Sequence, residues 1–234
     1  MPILNIAGYK FTSLASLSLL REQFLNFNQR ISIKGTILLS SEGINVSMAG
    51  EETAIREFIF FIKSDVRFND ISFHESYSEE IPFKHFKVKL KKEIITFNQP
   101  DANPLQQRAP ALSPSEFKKW LDEGRDITIL DTRNDYEITY GTFKNAVNLH
   151  LKDFNDLPNE LENLPQHKPV VMFCTGGIRC EKAAIHFMNQ GYKEVYQLDG
   201  GILGYFKQVG GAHYEGDCFV FDDRIAVDCN LEQS

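Results

Sequence analysis

Cysteine is scarce in this chain. Only Cys174, Cys180, Cys218 and Cys229 occur in 234 residues, and no two of them form a C-x-x-C pair. That spacing argues against a disulfide scaffold and suggests no zinc site. The six histidines do not cluster with them, so no metal is assigned. Long apolar runs are also missing: nothing approaches the roughly 18 consecutive apolar residues of a membrane span. The start, "MPILNIAGYKF", lacks a basic region followed by an apolar one, so no membrane partner and a cytoplasmic location are expected. No G-x-G-x-x-G fingerprint follows a strand and no 2-His-1-carboxylate pattern can be placed, so no cofactor is evident.

What is present is enough apolar material, 42% of residues, to bury a core in each of two modest domains. The net charge of −7 is unevenly spread: residues 1–95 carry 12 basic against 11 acidic side chains, and the remainder 13 against 21. The acidity belongs to the second half.

The first part, 1–96, reads strand, helix, strand, strand, helix, strand. Leu17, Leu20, Phe24 and Phe27 repeat at helical spacing, as do Ala54, Ile55, Phe58, Ile59 and Ile62, and Gly43 punctuates a turn between two short strands. "DISFHES" and "FKVKLKK" read as a further strand pair. This order suggests a ferredoxin-like βαββαβ sandwich, α+β in class, which by itself decides nothing about chemistry. Residues 97–112, "FNQPDANPLQQRAPAL", hold three prolines and no hydrophobic period and read as a linker. From 113 to 212 helix and strand alternate, implying an α/β domain with a parallel sheet. It starts with a capped helix: Ser113 as N-cap, Pro114 at the first position, Glu116 closing a capping box and Gly124 as the stop. Residues 213–234 form a C-terminal extension in which "CFVFDDRIAV" returns to pack on the body and Cys218 is structural.

The chemistry concentrates in "VVMFCTGGIRCEKAAIHF". A buried strand ends at Cys174, the turn Thr175-Gly176-Gly177-Ile178 follows, and a helix begins near Arg179. The bland reading is that Cys174 only packs. The turn argues for more: glycines let amides point inward, the helix N-terminus aims its positive end there, and Arg179 adds a charge. Each stabilises a thiolate. The C-x4-R loop is one residue shorter than the C-x5-R loop that wraps phosphate in cysteine phosphatases, so its cup suits one large atom or a small anion.

Asp131-Thr132-Arg133 after a strand, "YEITYGTFKNAVNL", "CTGGIR" and "LDGGI" together resemble a rhodanese domain. "LLSSEGIN", "HFKVKLKKEI", "LDTRNDYEITYGTFKNAV", "FCTGGIRCEKA" and "CFVFDDRIAV" extend the resemblance, over roughly residues 5 to 228, to the bacterial oxygen-dependent tRNA uridine 5-hydroxylases. The resemblance implies an oxidoreductase of tRNA modification that hydroxylates the wobble uridine. It takes molecular oxygen as co-substrate, tRNA at its anticodon as partner, and electrons from a donor the sequence does not identify. Cys174 is then the essential residue, and Asp131 and Arg133 support the loop from behind, or else form a local salt bridge with Asp135 or Glu137. One mechanism consistent with these residues has Cys174 adding to C6 of the base.

In the strand "KHFKVKLKK", Phe86, Val88 and Leu90 face one way and Lys87, Lys89 and Lys91 the other. Taken alone this is a solvated face; with the tRNA resemblance it becomes a candidate phosphate-binding row, which Lys182 and Lys144 would extend toward the loop. Cys180 could resolve an oxidised Cys174, but two cysteines across such a turn are expected to point apart, so a packing role is preferred. Two rival readings remain: a sulfurtransferase carrying a persulfide on Cys174, and a non-catalytic rhodanese module that docks partners or senses redox state.

Overall fold

The computed structural model describes residues 2–234, and the chain forms two compact units, residues 1–95 and 96–234. The first unit contains β1 (Ile3–Phe11), α1 (Leu17–Asn28), β2 (Lys34–Ser40), β3 (Gly43–Glu51), α2 (Glu52–Ser64), β4 (His74–Ser78) and β5 (Phe86–Leu90). Its sheet order is β4-β1-β3-β2-β5. The first four strands are antiparallel neighbours, as the βαββαβ reading expects, and β5 adds a parallel edge beside β2. The helical spacings hold. Leu20, Phe24 and Phe27 of α1 and Ile55, Phe58 and Ile62 of α2 share one core with Leu4, Ile6, Ile37, Leu39, Val46 and Met48 of the sheet. Two stacked rings, Phe27 and Phe61, 4.1 Å apart, join the helices.

The expected strand pair is corrected. β4 and β5 stand on opposite edges of the sheet, because the connection 79–85 contains Pro82 and none of the Asn-Gly or Asp-Gly signals that close a hairpin.

The second unit contains β6 (Ala111–Leu112), α3 (Pro114–Asp122), β7 (Thr128–Asp131), α4 (Asp135–Ile138), β8 (Gly141–Phe143), β9 (Val147–Asn148), a 3₁₀ stretch (Phe154–Asn163), β10 (Val170–Phe173), α5 (Ile178–Asn189), β11 (Val195–Leu198) and α6 (Gly201–Val209). The extension adds β12 (Tyr214–Gly216), paired with β8, and the hairpin β13 (Cys218–Phe219) with β14 (Ala226–Val227). The main sheet is parallel throughout, ordered β6-β11-β10-β7-β9. Its central strands β7 and β10 are buried at every residue, the unbroken apolar signature of a parallel strand covered on both faces. Val171 and Phe173 share a core with Phe117 of α3 and Ile202, Tyr205 and Phe206 of α6. Ser113 caps α3 by accepting from the Glu116 amide at 3.2 Å. The Glu116 carboxylate, however, takes the Trp120 indole N–H at 2.8 Å.

Residues 97–112 are not a free linker. Phe97 is fully buried and stacks on Phe154 at 4.6 Å, Ala102 and Ala109 are buried, and Ala111–Leu112 adds a strand to the sheet edge. Isolated apolar residues anchor this segment without any period, so a periodicity test passes over them. Among the described residues no helix is long and apolar enough to cross a membrane.

Candidate active site

Register places the site. Phe173 of β10 lies opposite Asp131 of β7, so Cys174 and Thr132 leave the sheet side by side at its carboxyl end, where parallel sheets gather their ligands. The chain turns through Thr175 and Gly176 to Gly177, which caps α5 with φ 99°, a conformation natural to glycine. The outer carbonyls of this turn are held by the start of α6. Ile202 N–H donates to Cys174 O and Leu203 N–H to Thr175 O, both at 3.0 Å. Gly201 makes that approach possible: with φ 61°, a Cβ there would stand 2.4 Å from Cys174 O. The "LDGGI" segment is therefore a backbone clamp on the loop.

With the carbonyls engaged by α6, amides are free to face the sulfur. Gly177 N–H donates to Cys174 Sγ at 3.1 Å, and the Arg179 amide does likewise. Burial alone would push this thiol up. The Cys180 thiol donating to the Cys174 sulfur, the Arg179 charge and the two amides outweigh burial and lower it. Cys180 moves the opposite way: burial and the neighbouring Cys174 sulfur hold its proton in place. The pair thus shares its charge unequally, thiolate on Cys174 and thiol on Cys180. Contrary to the expectation that they point apart, these cysteines are in contact. Gly177's left-handed turn brings the first turn of α5 back over the loop.

Arg179 is not an open anion clamp. It is buried and tied through both terminal nitrogens to Glu137, at 2.5 and 2.8 Å. Glu137 is fully buried and also accepts from the Asn134 amide at 3.0 Å. Its own N-x-x-E capping-box spacing is the sequence signal that marks it. Asp131 and Arg133 are both fully buried and grip each other, Arg133 Nη2 to Asp131 Oδ2 being 2.6 Å. The ion pair therefore forms within this couple and not with Asp135 or Glu137. β8 completes it: Gly141 O accepts from Arg133 at 2.6 Å and the Thr142 hydroxyl donates to Asp131 at 2.8 Å. Between them Thr132 donates to Phe173 O at 2.9 Å and lies 3.7 Å from Cys180 Sγ. The D-T-R segment thus reaches the cysteine pair through its middle residue.

The extension closes on the same region. Cys218 is buried, its thiol pushed up to about 12, with burial leading and with Arg133, Asp131, Glu137 and Thr175 also acting on it. That fits the structural role expected of it. Thr175 Oγ1 contacts Phe219 O at 3.5 Å. The ring of Phe219 lies 5.4 Å from Tyr136, 5.5 Å from Tyr140 and 5.2 Å from Phe221, and Phe221 faces the Arg179 guanidinium at 5.8 Å. Tyr136, Tyr140 and Phe221 are all exposed. Sequence does not announce this aromatic rim, because its members come from two separate segments, one around α4 and one in the extension.

The lysines divide. Lys87, Lys89 and Lys91 are exposed, and Val88 is buried behind them. Leu90 is exposed rather than buried, because it sits at the end of the edge strand. Lys182 is only 3% exposed and adds nothing to a basic surface. It lies on α5, most of whose residues are buried, so the helix offers hardly any solvated face. Lys144 is exposed beside Glu215. Among the described residues no group of three or more His, Cys, Asp or Glu side chains is placed to hold a metal ion.

Comparison with known proteins agrees with this two-part architecture. Residues 3–94 match the UPF0176 acylphosphatase like domain and residues 113–208 the rhodanese-like domain. The chain is 50% identical, over 99% of its length and 85% of theirs, to the tRNA uridine(34) hydroxylase of Cupriavidus necator. It is 47% identical to the protein of the same name from Thiobacillus denitrificans, across 99% of this chain and 97% of that one. A rhodanese-like domain protein from Staphylococcus aureus aligns with 41% of this chain and 90% of its own, at 24% identity and a TM-score of 0.37. Identity of this order over nearly the whole length places the chain in the tRNA uridine(34) hydroxylase family, with an amino-terminal UPF0176 domain and a carboxy-terminal rhodanese-like domain.

Proposed function

We propose that this chain hydroxylates C5 of the wobble uridine of tRNA in the cytoplasm, using molecular oxygen, with Cys174 as the group that engages the base. The observation that carries the reading is the end-to-end likeness to proteins named for that reaction. The site supplies the chemistry. C5 of uracil becomes nucleophilic once a thiolate adds to C6, because the electron pair is then delocalised into the C4 carbonyl, and Cys174 is the thiol poised as thiolate.

A base can enter only unstacked, as in other enzymes acting on nucleobases. The exposed rings of Tyr136, Tyr140 and Phe221 offer π-faces for the bases around it. Lys87, Lys89 and Lys91 are exposed cations suited to tRNA phosphates. Persulfide transfer is the second reading, favoured by the amides of Gly177 and Arg179 turned on the sulfur. Sulfur transfer from thiosulfate to cyanide in the absence of tRNA tests it.

The deciding experiment is nucleoside mass spectrometry of tRNA from cells lacking the protein, complemented with wild type or Cys174→Ser. Loss of 5-hydroxyuridine derivatives, restored by wild type alone, is expected; unchanged nucleosides would overturn the reading. A protein–RNA adduct through Cys174 with 5-fluorouridine at the target position is the expected sign of C6 addition.

A further inference from the structure

Converting a C–H bond to C–OH with dioxygen leaves an electron deficit. Dioxygen accepts four electrons in becoming one hydroxyl and one water, and the C5–H bond supplies two. The other two must come from a donor. Cys180 is fully buried, its thiol donates to the Cys174 sulfur, and the Thr132 hydroxyl lies 3.7 Å from its sulfur on the anchored β7 end. Neither remaining thiol is placed like this: Cys218 packs beside Asp131, Arg133 and Thr175, and Cys229 beside Gly211.

Resting on the reading of Cys174 as the group that engages uridine, we propose that Cys180 is the second catalytic thiol and that the Cys174–Cys180 pair supplies these two electrons, ending each turnover as a disulfide. Cys174 thiolate adds to C6, and the C5 carbanion takes dioxygen and a proton to give a C5 hydroperoxide. The Cys180 thiol attacks the distal oxygen, so the O–O bond breaks, C5 keeps a hydroxyl and Cys180 becomes a sulfenic acid. Loss of the C5 proton expels Cys174 from C6 and restores the ring double bond. Cys174 thiolate then displaces hydroxide from Cys180, forming the S–S bond, and the hydroxide leaves as water with the released proton. In sum, uridine, dioxygen and two thiols give 5-hydroxyuridine, water and one disulfide. A dithiol reductant resets the pair by thiol–disulfide exchange. The Cys180 thiol is hydrogen-bonded to the Cys174 sulfur, a disulfide draws the two to ~2.05 Å, and Gly177 between them, with φ 99°, has glycine's freedom to adjust.

The test is a turnover without reductant. Full-length protein is reduced with a phosphine, desalted anaerobically and mixed with an unmodified tRNA transcript in air-saturated buffer; product nucleoside and alkylated peptides are then quantified. The expected result is 5-hydroxyuridine equal to the protein present, a matching amount of Cys174–Cys180 disulfide, Cys218 and Cys229 still alkylatable, and renewed turnover on adding dithiothreitol. Cys180→Ser, keeping its thermal midpoint and its binding of the transcript, should lose product by roughly 100-fold. Product formed with both thiols still free, or undiminished in Cys180→Ser, overturns the inference and leaves the proposed function standing. No product from reduced wild type in air overturns the inference; the proposed function falls with it only if added dithiothreitol yields no product either.

Discussion

Glu137 holds Arg179 through both guanidinium nitrogens, at 2.5 and 2.8 Å, with both side chains buried. The pair fixes the cation beside Cys174 while neutralising part of it. Removing one partner strands a buried charge, which costs about 3–5 kcal/mol. Glu137→Gln should therefore lose stability of about that size in urea unfolding. A Glu137→Ala/Arg179→Ala double mutant should lose clearly less than the sum of the single losses; strict additivity would contradict a direct pairing.

Cys174 should titrate early. Burial opposes ionisation, but the Cys180 thiol, Arg179 and two amides lower it to about 6. Because the reactive form is the thiolate, hydroxylation should fall as pH drops through that value and stay level above it. Ultraviolet thiolate absorbance should show the same midpoint in wild type and none in Cys174→Ser. Cys180→Ala removes the donor, so its midpoint should rise.

Gly201→Ala tests the backbone clamp. The substitution sets a Cβ 2.4 Å from Cys174 O at φ 61°, where backbone strain alone costs about 1–3 kcal/mol. The loop must shift. Activity should fall at least tenfold while the first unit's unfolding is unchanged; a Gly204→Ala control within α6 keeps ordinary helical geometry.

Lys87 and Lys89 are exposed on an edge strand, so their replacement should leave stability alone. Lys87→Glu/Lys89→Glu should weaken tRNA binding across sequences and flatten the dependence on salt by roughly one unit of log–log slope per lost phosphate contact. Binding that ignores ionic strength would exclude phosphate contacts by this row.

Phe221 is 57% exposed, and truncating it should barely change the melting temperature. If its ring stacks on a base, Phe221→Ala loses about 1–3 kcal/mol of binding, read as a higher KM for tRNA with kcat little changed. An unaltered KM would remove the aromatic rim from substrate contact.

The parts legible in sequence are those governed by local rules. The two amphipathic helices, the buried strand before Cys174 and the glycine turn into α5 all follow from spacing, and they point to the fold and to the loop that presents Cys174. What escaped depends on distant chain segments. Glu137 meets Arg179 across 42 positions; its capping-box spacing marks Glu137 itself, but no local pattern announces the pairing. Cys180 hydrogen-bonds Cys174 across a turn whose N-cap, Gly177, takes a left-handed φ of 99°, and residue spacing alone does not show which way such a turn points its side chains. Lys182 looks solvated by type, yet α5 is buried around most of its circumference, as the helix of a βαβ crossover can be. β4 and β5 read as a pair because they follow one another in sequence, but no tight turn joins them and they lie on opposite edges of the sheet.

The anchoring of 97–112 sets where this protein can be cut. A fragment begun at Ser113, the first residue of the rhodanese-like match, discards β6 and leaves the edge of β11 unpaired where Gln197 and Leu198 faced Ala111 and Leu112. It also removes the Phe97 ring that covers Phe154. Such an open, apolar parallel edge is a template for sticking to other chains. A fragment begun at Thr96 keeps its own edge cover, and so the unit that stands by itself starts seventeen residues before its domain match.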